Sequence, residues 1–205
     1  MKINLEPNDV QDQINKSNFG FMFAPNYHDA MRFVGPTRKK IGKRTIFNMI
    51  GPLSSPALVK RQVIGVFNKN LLEIFANALK SLNIKFAWIV NSEDGLDEIS
   101  PYAKTNVIQL KDNQISRITI NPKDMNINAE KFENLIGNNA KFNAEKMISI
   151  FKGNDNDFSK AVCLNAAAGL IVNENHKNFY EAYTQSRKHI LSGQTFNHLK
   201  KIQNG

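Results

Sequence analysis

Residues 62–67 read Gln62-Val63-Ile64-Gly65-Val66-Phe67, an apolar run that predicts a β-strand. Apolar residues then recur at helical spacing over residues 71–82, which predicts an amphipathic helix. A second apolar run, at residues 85–90, predicts a buried strand. Because a strand, a helix and a strand in this order form a crossover unit, we expect the two strands to be parallel. The fold class expected from this unit is α/β.

The rest of the chain adds one strand pair and several helices. Residues 106–110 and 114–120 predict two strands that pair across the polar dipeptide Asp112-Asn113. Glu6-Pro7-Asn8-Asp9 predicts a helix start. Further helices are expected at 27–33, 37–41, 141–151, 157–174, 178–191 and from Thr195 onward. The run of small residues at 165–169 indicates that its helix packs closely on a neighbour.

Composition narrows the classes of protein to consider. Cys163 is the only cysteine among 205 residues, which excludes an intramolecular disulfide and a multi-cysteine zinc site. The chain has no apolar run long enough for a membrane span, so none is expected. The first residues lack the apolar core of a secretory signal. We therefore expect a cytoplasmic protein.

The net charge of +9 raises the question of a nucleic-acid partner. Nucleic-acid surfaces usually cluster basic residues and interleave them with aromatic rings or arginines. Here only six of the 27 basic residues are arginines, and the lysines are scattered from Lys2 to Lys201. The pattern favours a generic solvated basic surface, and nucleic-acid binding is not expected.

Two adjacent acids, Asp97 and Glu98, follow the second predicted strand within the segment Asp-Gly-Leu-Asp-Glu-Ile-Ser at 94–100. The carboxyl ends of strands in open α/β sheets are where ligands bind. Local sequence alone favours a polar turn, since acids are also common near helix starts. A ligand site is the alternative.

Three segments together resemble the anthranilate phosphoribosyltransferase family of tryptophan biosynthesis. They are Phe-Ala-Pro-Asn-Tyr-His-Asp-Ala-Met at 23–31, Arg-Thr-Ile-Phe-Asn-Met-Ile-Gly-Pro-Leu at 44–53, and the acidic segment at 94–100. The resemblance runs along nearly the whole chain. It implies that residues 1–205 form a C-terminal α/β domain, with a mixed, mostly parallel sheet flanked by helices and a remnant of a small helical domain. Residues 7–42 would be the helical segment that in the intact family joins the helical domain and the hinge. The resemblance also implies transfer of phosphoribose from phosphoribosyl diphosphate to the amine of anthranilate.

The resemblance assigns Asp97 and Glu98 to a Mg²⁺ ion that meets the sugar diphosphate. Mg²⁺ is typically held by one or two carboxylates together with substrate phosphate, so two adjacent acids suit it. Such an ion neutralises charge on the departing pyrophosphate. No catalytic side chain is expected, because placement and charge stabilisation dominate this kind of transfer.

The resemblance places Arg38 against the carboxylate of anthranilate. A planar guanidinium holds a carboxylate through two parallel hydrogen bonds, which lysine does not imitate. From sequence alone, the alternative for Arg38 is a solvated helix face. Further anthranilate-binding positions implied by the resemblance are Ala24, Pro25, His28, Met31, Gly51 and Pro52. Gly51 and Pro52 are expected in a loop, where glycine permits close approach and proline forms a rigid wall.

The chain departs from the family pattern at two places. Asp29 stands where the family usually has proline, so it would either repel an anionic substrate or cap the helix, and we interpret it as a cap. Ser54-Ser55-Pro56 stands where Thr-Asn-Pro is common, which we interpret as mild drift. Asn165 opens an Asn-Ala-Ala run typical of a late helix of the family and is interpreted as a packing residue.

Family members extend well beyond this chain at the N-terminus, where the family carries a glycine-rich phosphate loop and a Lys-His-Gly-Asn segment that grip the sugar diphosphate. We therefore expect a C-terminal part of the enzyme that is inactive alone, either truncated or one subunit of a split enzyme. A decaying gene remnant and a non-enzymatic, nucleic-acid-binding paralogue of the same fold are the alternatives. The intact family is dimeric, and whether this part forms a homodimer stays open.

Overall fold

The computed structural model describes residues 3–27, 33, 35, 40–43 and 45–204. The chain divides into two compact units, one of Met1–Leu58 with Asn197–Gly205 and one of Val59–Phe196. The division therefore falls C-terminal to the segment 7–42 that the sequence assigned to the helical part. Within the described residues, no helix combines the length and apolar character needed to cross a membrane.

The described part of the first unit is helical, with α1 (Pro7–Ser17), α2 (Ala24–Tyr27) and α3 (Phe47–Leu53). Helix α1 begins as predicted, with Pro7 in its first turn, where the missing N–H costs no hydrogen bond. Tyr27 ties α2 to the chain before α1, because its hydroxyl donates to the Leu5 carbonyl at 2.7 Å. The predicted helices at 27–33 and 37–41 lie mostly outside the described residues.

The second unit contains a four-stranded sheet in the order β1-β2-β3-β4. The strands are β1 (Arg61–Gly65), β2 (Phe86–Ser92), β3 (Thr105–Lys111) and β4 (Gln114–Ile120). A short 3₁₀ turn, Lys69–Leu71, and helix α4 (Leu72–Ser81) connect β1 to β2. The parallel pairing of β1 with β2, in which Ile64 lies opposite Ile89, confirms the crossover unit predicted from the sequence.

The expectation of a mostly parallel sheet is wrong. The sheet is mixed, but β2 pairs with β3 and β3 pairs with β4 in antiparallel fashion. Asp112 and Asn113 both have positive φ, 47° and 65°, which suits a two-residue hairpin between β3 and β4. Ser92 and Thr105 are paired residues, so the chain between β2 and β3 leaves and returns at one end of the sheet. Of the three connections, only that from β1 to β2 carries a helix that crosses back.

Helices cover both faces of this sheet, which confirms the α/β class. Helix α4 contacts β2 and β3 on one face. The helices after the sheet are α5 (Ala140–Phe151), α6 (Asp157–Val172), α7 (Phe179–Leu191) and α8 (Gln194–Asn204), of which α8 lies mostly in the first unit. The main apolar core joins β2 to α6 and α7, with Trp88 next to Phe179 at 5.6 Å between ring centroids. Ala167 and Ala168 on α6 are fully buried, as expected for small residues at a close helix contact.

Candidate functional site

The acid loop, residues 94–100, lies at the carboxyl ends of β1 and β2. It begins in a tight turn in which the Ser92 N–H donates to the Leu96 carbonyl at 2.9 Å. Asp94 braces the turn from within, since its carboxylate accepts from the Leu96 N–H at 3.3 Å and from the Ser100 hydroxyl. The loop therefore has a fixed backbone, and its position agrees with the sheet edge expected from the sequence.

Gly65, the last residue of β1, is in close contact with the backbone of this loop. A Cβ built on Gly65 would lie 1.6 Å from the Asp97 carbonyl oxygen and 3.3 Å from the Asp97 Cβ. No side chain fits at that distance, so glycine is required if β1 is to support the loop. An isolated glycine in a strand often marks such a close backbone approach, and this signal was present in the sequence.

Asn165 holds the loop from the other side. Its Oδ1 accepts from the Ile99 N–H at 2.9 Å, and its Nδ2 donates to the Ile99 carbonyl at 3.1 Å. The same Nδ2 lies 3.5 Å from Glu98 Oε2 and 2.9 Å from the Ala161 carbonyl. The sequence indicates a packing residue at Asn165, whereas in the structure Asn165 forms hydrogen bonds that join α6 to the loop.

The side chains of Asp97 and Glu98 are both exposed, although the backbone beneath them is pinned. Partial desolvation of its carboxyl group, and then the neighbouring charge of Asp97, raise the pKa of Glu98. Two adjacent carboxylates that compete in this way suit a divalent cation, which relieves their repulsion. Among the described residues, no cluster of three or more His, Cys, Asp or Glu side chains is placed to hold a metal ion. The donor set thus fits Mg²⁺ held by two carboxylates plus ligand oxygens rather than an all-protein cage.

The predicted anthranilate-binding residues that the structure describes lie in the first unit. Ala24 and Pro25 are exposed in the first turn of α2. Gly51 and Pro52 lie in the last turn of α3, not in the expected loop. Proline is tolerated there because the helix ends one residue later, at Leu53. A Cβ on Gly51 would meet no described atom within 4 Å, so contacts with described protein atoms do not require this glycine.

Arg38, His28 and Met31 lie outside the described residues, as does Asp29. Their assigned roles therefore rest on the sequence resemblance and stay predictions. Of the predicted site residues, the structure brings Asp97 and Glu98 together on the acid loop.

A buried carboxylate that the sequence did not single out anchors the chain just beyond the acid loop. Asp157, at the start of α6, is 3% exposed and accepts from Tyr102, Asn134, Lys160 and the Glu130 N–H at 2.8–2.9 Å. Burial alone would raise the pKa of Asp157, but these hydrogen bonds outweigh it and lower the pKa. Burial, and then the bond to Asp157, raise the pKa of Tyr102. Tyr102 stands two residues after the acid loop, so this network fixes the loop's C-terminal side.

The chain belongs to the glycosyl transferase family, a/b domain, which matches residues 1–196. Two relatives within that family carry a more specific name. The chain is 75% identical over 204 residues to the anthranilate phosphoribosyltransferase of Pelagibacter ubique (strain HTCC1062), covering 100% of this chain and 62% of that protein. It is 39% identical to the anthranilate phosphoribosyltransferase of Rhodopseudomonas palustris (strain TIE-1), covering 98% of this chain and 60% of that protein. The family resemblance read from the sequence is confirmed.

Solved structures give the same result. The anthranilate phosphoribosyltransferase of Thermus thermophilus superposes with a TM-score of 0.90 at 29% identity, covering 98% of this chain and 60% of that one. The enzyme from Saccharomyces cerevisiae in complex with PRPP and Mg superposes with a TM-score of 0.86 at 25% identity, covering 97% and 57%. The chain thus spans about 60% of the length of the relatives it matches.

Proposed function

We propose that these residues form part of an anthranilate phosphoribosyltransferase. The observation that carries the proposal is the exposed Asp97-Glu98 pair, held on a clamped loop at the carboxyl edge of β1 and β2. The 75% identical relative has this activity in its name, and a yeast neighbour is described with PRPP and Mg bound. Together these support assignment of the pair to the metal that accompanies the sugar diphosphate.

In the proposed reaction, the amine nitrogen of anthranilate forms a bond to the anomeric carbon of the ribose. The bond from that carbon to the pyrophosphate oxygen breaks, and the amine loses a proton. Bound Mg²⁺ would neutralise negative charge on the departing pyrophosphate. Asp97 and Glu98 would supply the carboxylate oxygens for the ion, and the clamped backbone would fix where it binds. Placement and charge stabilisation then lower the barrier without a protein nucleophile.

In this proposal, residues of the first unit bind anthranilate, the acceptor of the phosphoribose. Arg38 would hold the anthranilate carboxylate in a bidentate pair. Ala24, Pro25, His28, Met31, Gly51 and Pro52 would line the space around the ring. The segments that grip the diphosphate would belong to the part of the relatives' length that these residues do not span, in the same chain or in a second one. A cytoplasmic location stays a prediction.

The nucleic-acid-binding alternative is not favoured. Its only support is the net charge of +9. The relatives are phosphoribosyltransferases, and a pair of exposed acids on a fixed loop is a poor surface for a polyanion.

The test is a chimaera in which this chain replaces the matching 204 residues of the Pelagibacter ubique relative. Purified chimaera should convert anthranilate and phosphoribosyl diphosphate into phosphoribosylanthranilate and pyrophosphate. The loss of anthranilate fluorescence measures this conversion. The unmodified relative is the positive control. A folded chimaera that binds phosphoribosyl diphosphate yet never consumes anthranilate would contradict the proposal.

A further inference from the structure

The side chain of Asn165 pairs with both polar groups of a single loop residue. Its amide oxygen accepts from the Ile99 N–H, and its amide nitrogen donates to the Ile99 carbonyl. Ile99 is fully buried, so water is not available to replace these bonds. A buried peptide group that loses its partner pays the full desolvation penalty. The position of the Ile99 backbone is therefore tied to the position of Asn165.

Asn165 stands on a rigid element. Helix α6 begins at a hydrogen-bonded cap, where the Asn156 side chain accepts from the Ser159 N–H at 2.9 Å. Its inner face is packed through Ala167 and Ala168, both fully buried. The Asn165 amide also donates to the Ala161 carbonyl one turn earlier, which fixes the direction of the side chain. Asn165 therefore fixes the position of the loop relative to the core of the second unit.

Glu98 immediately precedes Ile99, and its Oε2 lies 3.5 Å from the same Asn165 nitrogen. A side-chain amide donor at this distance favours a carboxylate turned toward α6. Asp97, one residue earlier, rests on Gly65 at the end of β1. Two separate elements therefore position the two acids. Gly65 of β1 is in close contact with the Asp97 backbone, and Asn165 of α6 lies beside the Glu98 carboxylate.

We propose that Asn165 is a positioning residue that sets where the Glu98 carboxylate stands beside Asp97, and thereby sets the affinity of the pair for a divalent cation. This inference rests on the proposed function, because it takes the two acids as the metal-binding groups. Asn165 itself is not a ligand in this arrangement. It acts through the Ile99 peptide and through its contact with Glu98, as partners of metal ligands commonly do.

The test is a titration of the ¹⁵N-labelled 205-residue chain with Mn²⁺ alone, read by paramagnetic broadening of backbone amides in NMR spectra. In the native sequence, broadening should centre on the acid loop. Asn165→Ala should raise the Mn²⁺ concentration at half-broadening by about 10- to 100-fold, the usual effect of removing a partner of a metal ligand. Asn173→Ala is the matched control, since Asn173 is the C-cap of the same helix and its side-chain amide donates to Asn175. This control should leave the titration unchanged.

Amide hydrogen exchange separates positioning from a general loss of structure. In Asn165→Ala, exchange at Ile99 should accelerate while exchange at Leu110, buried in β3, stays as slow as in the native chain. If Asn165→Ala does not fold, Asn165→Gln keeps the amide one methylene farther out and should shift the Mn²⁺ midpoint in the same direction. An unshifted midpoint in either folded variant would overturn the positioning role while leaving the metal assignment intact. If instead Glu98→Gln leaves the native midpoint unchanged, the metal assignment fails and this inference fails with it.

Discussion

Gly65 and Asp97 approach so closely that a Cβ added to Gly65 would lie 1.6 Å from the Asp97 carbonyl oxygen. The contact joins the end of β1 to the residue that we assign to a metal ion. Because the obstructing atom belongs to the backbone, a rotamer change does not relieve the overlap. Either β1 or the loop backbone at Asp97 must therefore shift, and a shift at Asp97 moves that acid relative to Glu98, whose neighbour Ile99 stays bonded to Asn165.

We expect Gly65→Ala to destabilise the protein and to weaken cation binding at the acid loop. Overpacking of this kind costs roughly 1–3 kcal/mol. Urea unfolding measures the first effect, and Mn²⁺ broadening of the loop amides measures the second. Gly169→Ala is the control, because Gly169 is an exposed position within α6 where a Cβ meets no described atom within 4 Å. It should stabilise by about 0.5–1 kcal/mol through helix propensity. Equal stability of the two variants would contradict the steric argument.

Removal of either acid should raise the Mg²⁺ requirement of the active chimaera. Two unit charges 4 Å apart interact by about 1–4 kcal/mol at dielectric constants between those of water and a protein surface. Asp97→Asn and Glu98→Gln should therefore each raise the half-saturating Mg²⁺ concentration by about tenfold or more. Glu93→Gln neutralises an exposed acid just outside the loop and should leave the Mg²⁺ dependence as it was. An effect of Glu93→Gln as large as that of the other two would indicate general electrostatics instead of a site.

Asp157 should contribute stability that depends on pH in a defined direction. Since its pKa is lowered in the folded protein, its contribution is complete above the pKa of an unfolded aspartate, about 3.9, and is lost as the pH falls further. We expect Asp157→Asn to cost about 2–3 kcal/mol at pH 7, because several donors then face a weaker acceptor. The gap between the native and variant proteins should narrow below about pH 4. Urea unfolding of both proteins at pH 7 and pH 3 measures this difference in the free energy of unfolding. A difference that does not change with pH would rule out the ionised carboxylate as its cause.

Local patterns predict the elements of the second unit well, because continuous apolar runs mark β1 and β2 and apolar residues at helical spacing mark α4. The helix expected at 157–174 appears as Asp157–Val172, and the pair at 106–110 and 114–120 appears as β3 and β4. The direction of pairing was harder to predict. It depends on where the chain between β2 and β3 returns, and residues 93–104 carry no periodic signal that shows this. The expectation of mostly parallel strands came from the family and not from these residues.

The sequence points to the two acids of the candidate site, but not to the residues that hold them in place. Asp97 and Glu98 stand out as adjacent charges after a buried strand. Asn165 does not, because a polar residue within an apolar helix looks the same whether it bonds to its own helix or to a distant loop. Its partner Ile99 is 66 residues away in sequence, and only tertiary structure brings the two together.

Arg38 is assigned to the carboxylate of anthranilate on the family resemblance alone. Arg38→Lys keeps the charge and loses the planar fork that makes two parallel hydrogen bonds. If Arg38 binds the substrate carboxylate, the loss of one charge-assisted hydrogen bond should cost roughly 1.5–3 kcal/mol, or about tenfold to a hundredfold in kcat/KM for anthranilate. If Arg38 lies on a solvated basic face, the cost should stay well below about 1 kcal/mol.

Steady-state kinetics of the chimaera against varied anthranilate decide between these two roles. Lys40→Arg is the control, since it exchanges the same two side chains at an exposed neighbouring position and should change nothing. The Mg²⁺ dependence of Arg38→Lys should match that of the unmodified chimaera, because the acid loop is untouched. A penalty in anthranilate use with an unchanged metal requirement would thus assign the two halves of the reaction to different residues of this chain. Unchanged anthranilate kinetics in Arg38→Lys would remove Arg38 from the acceptor site and leave Asp97 and Glu98 as the residues that link this chain to the transfer.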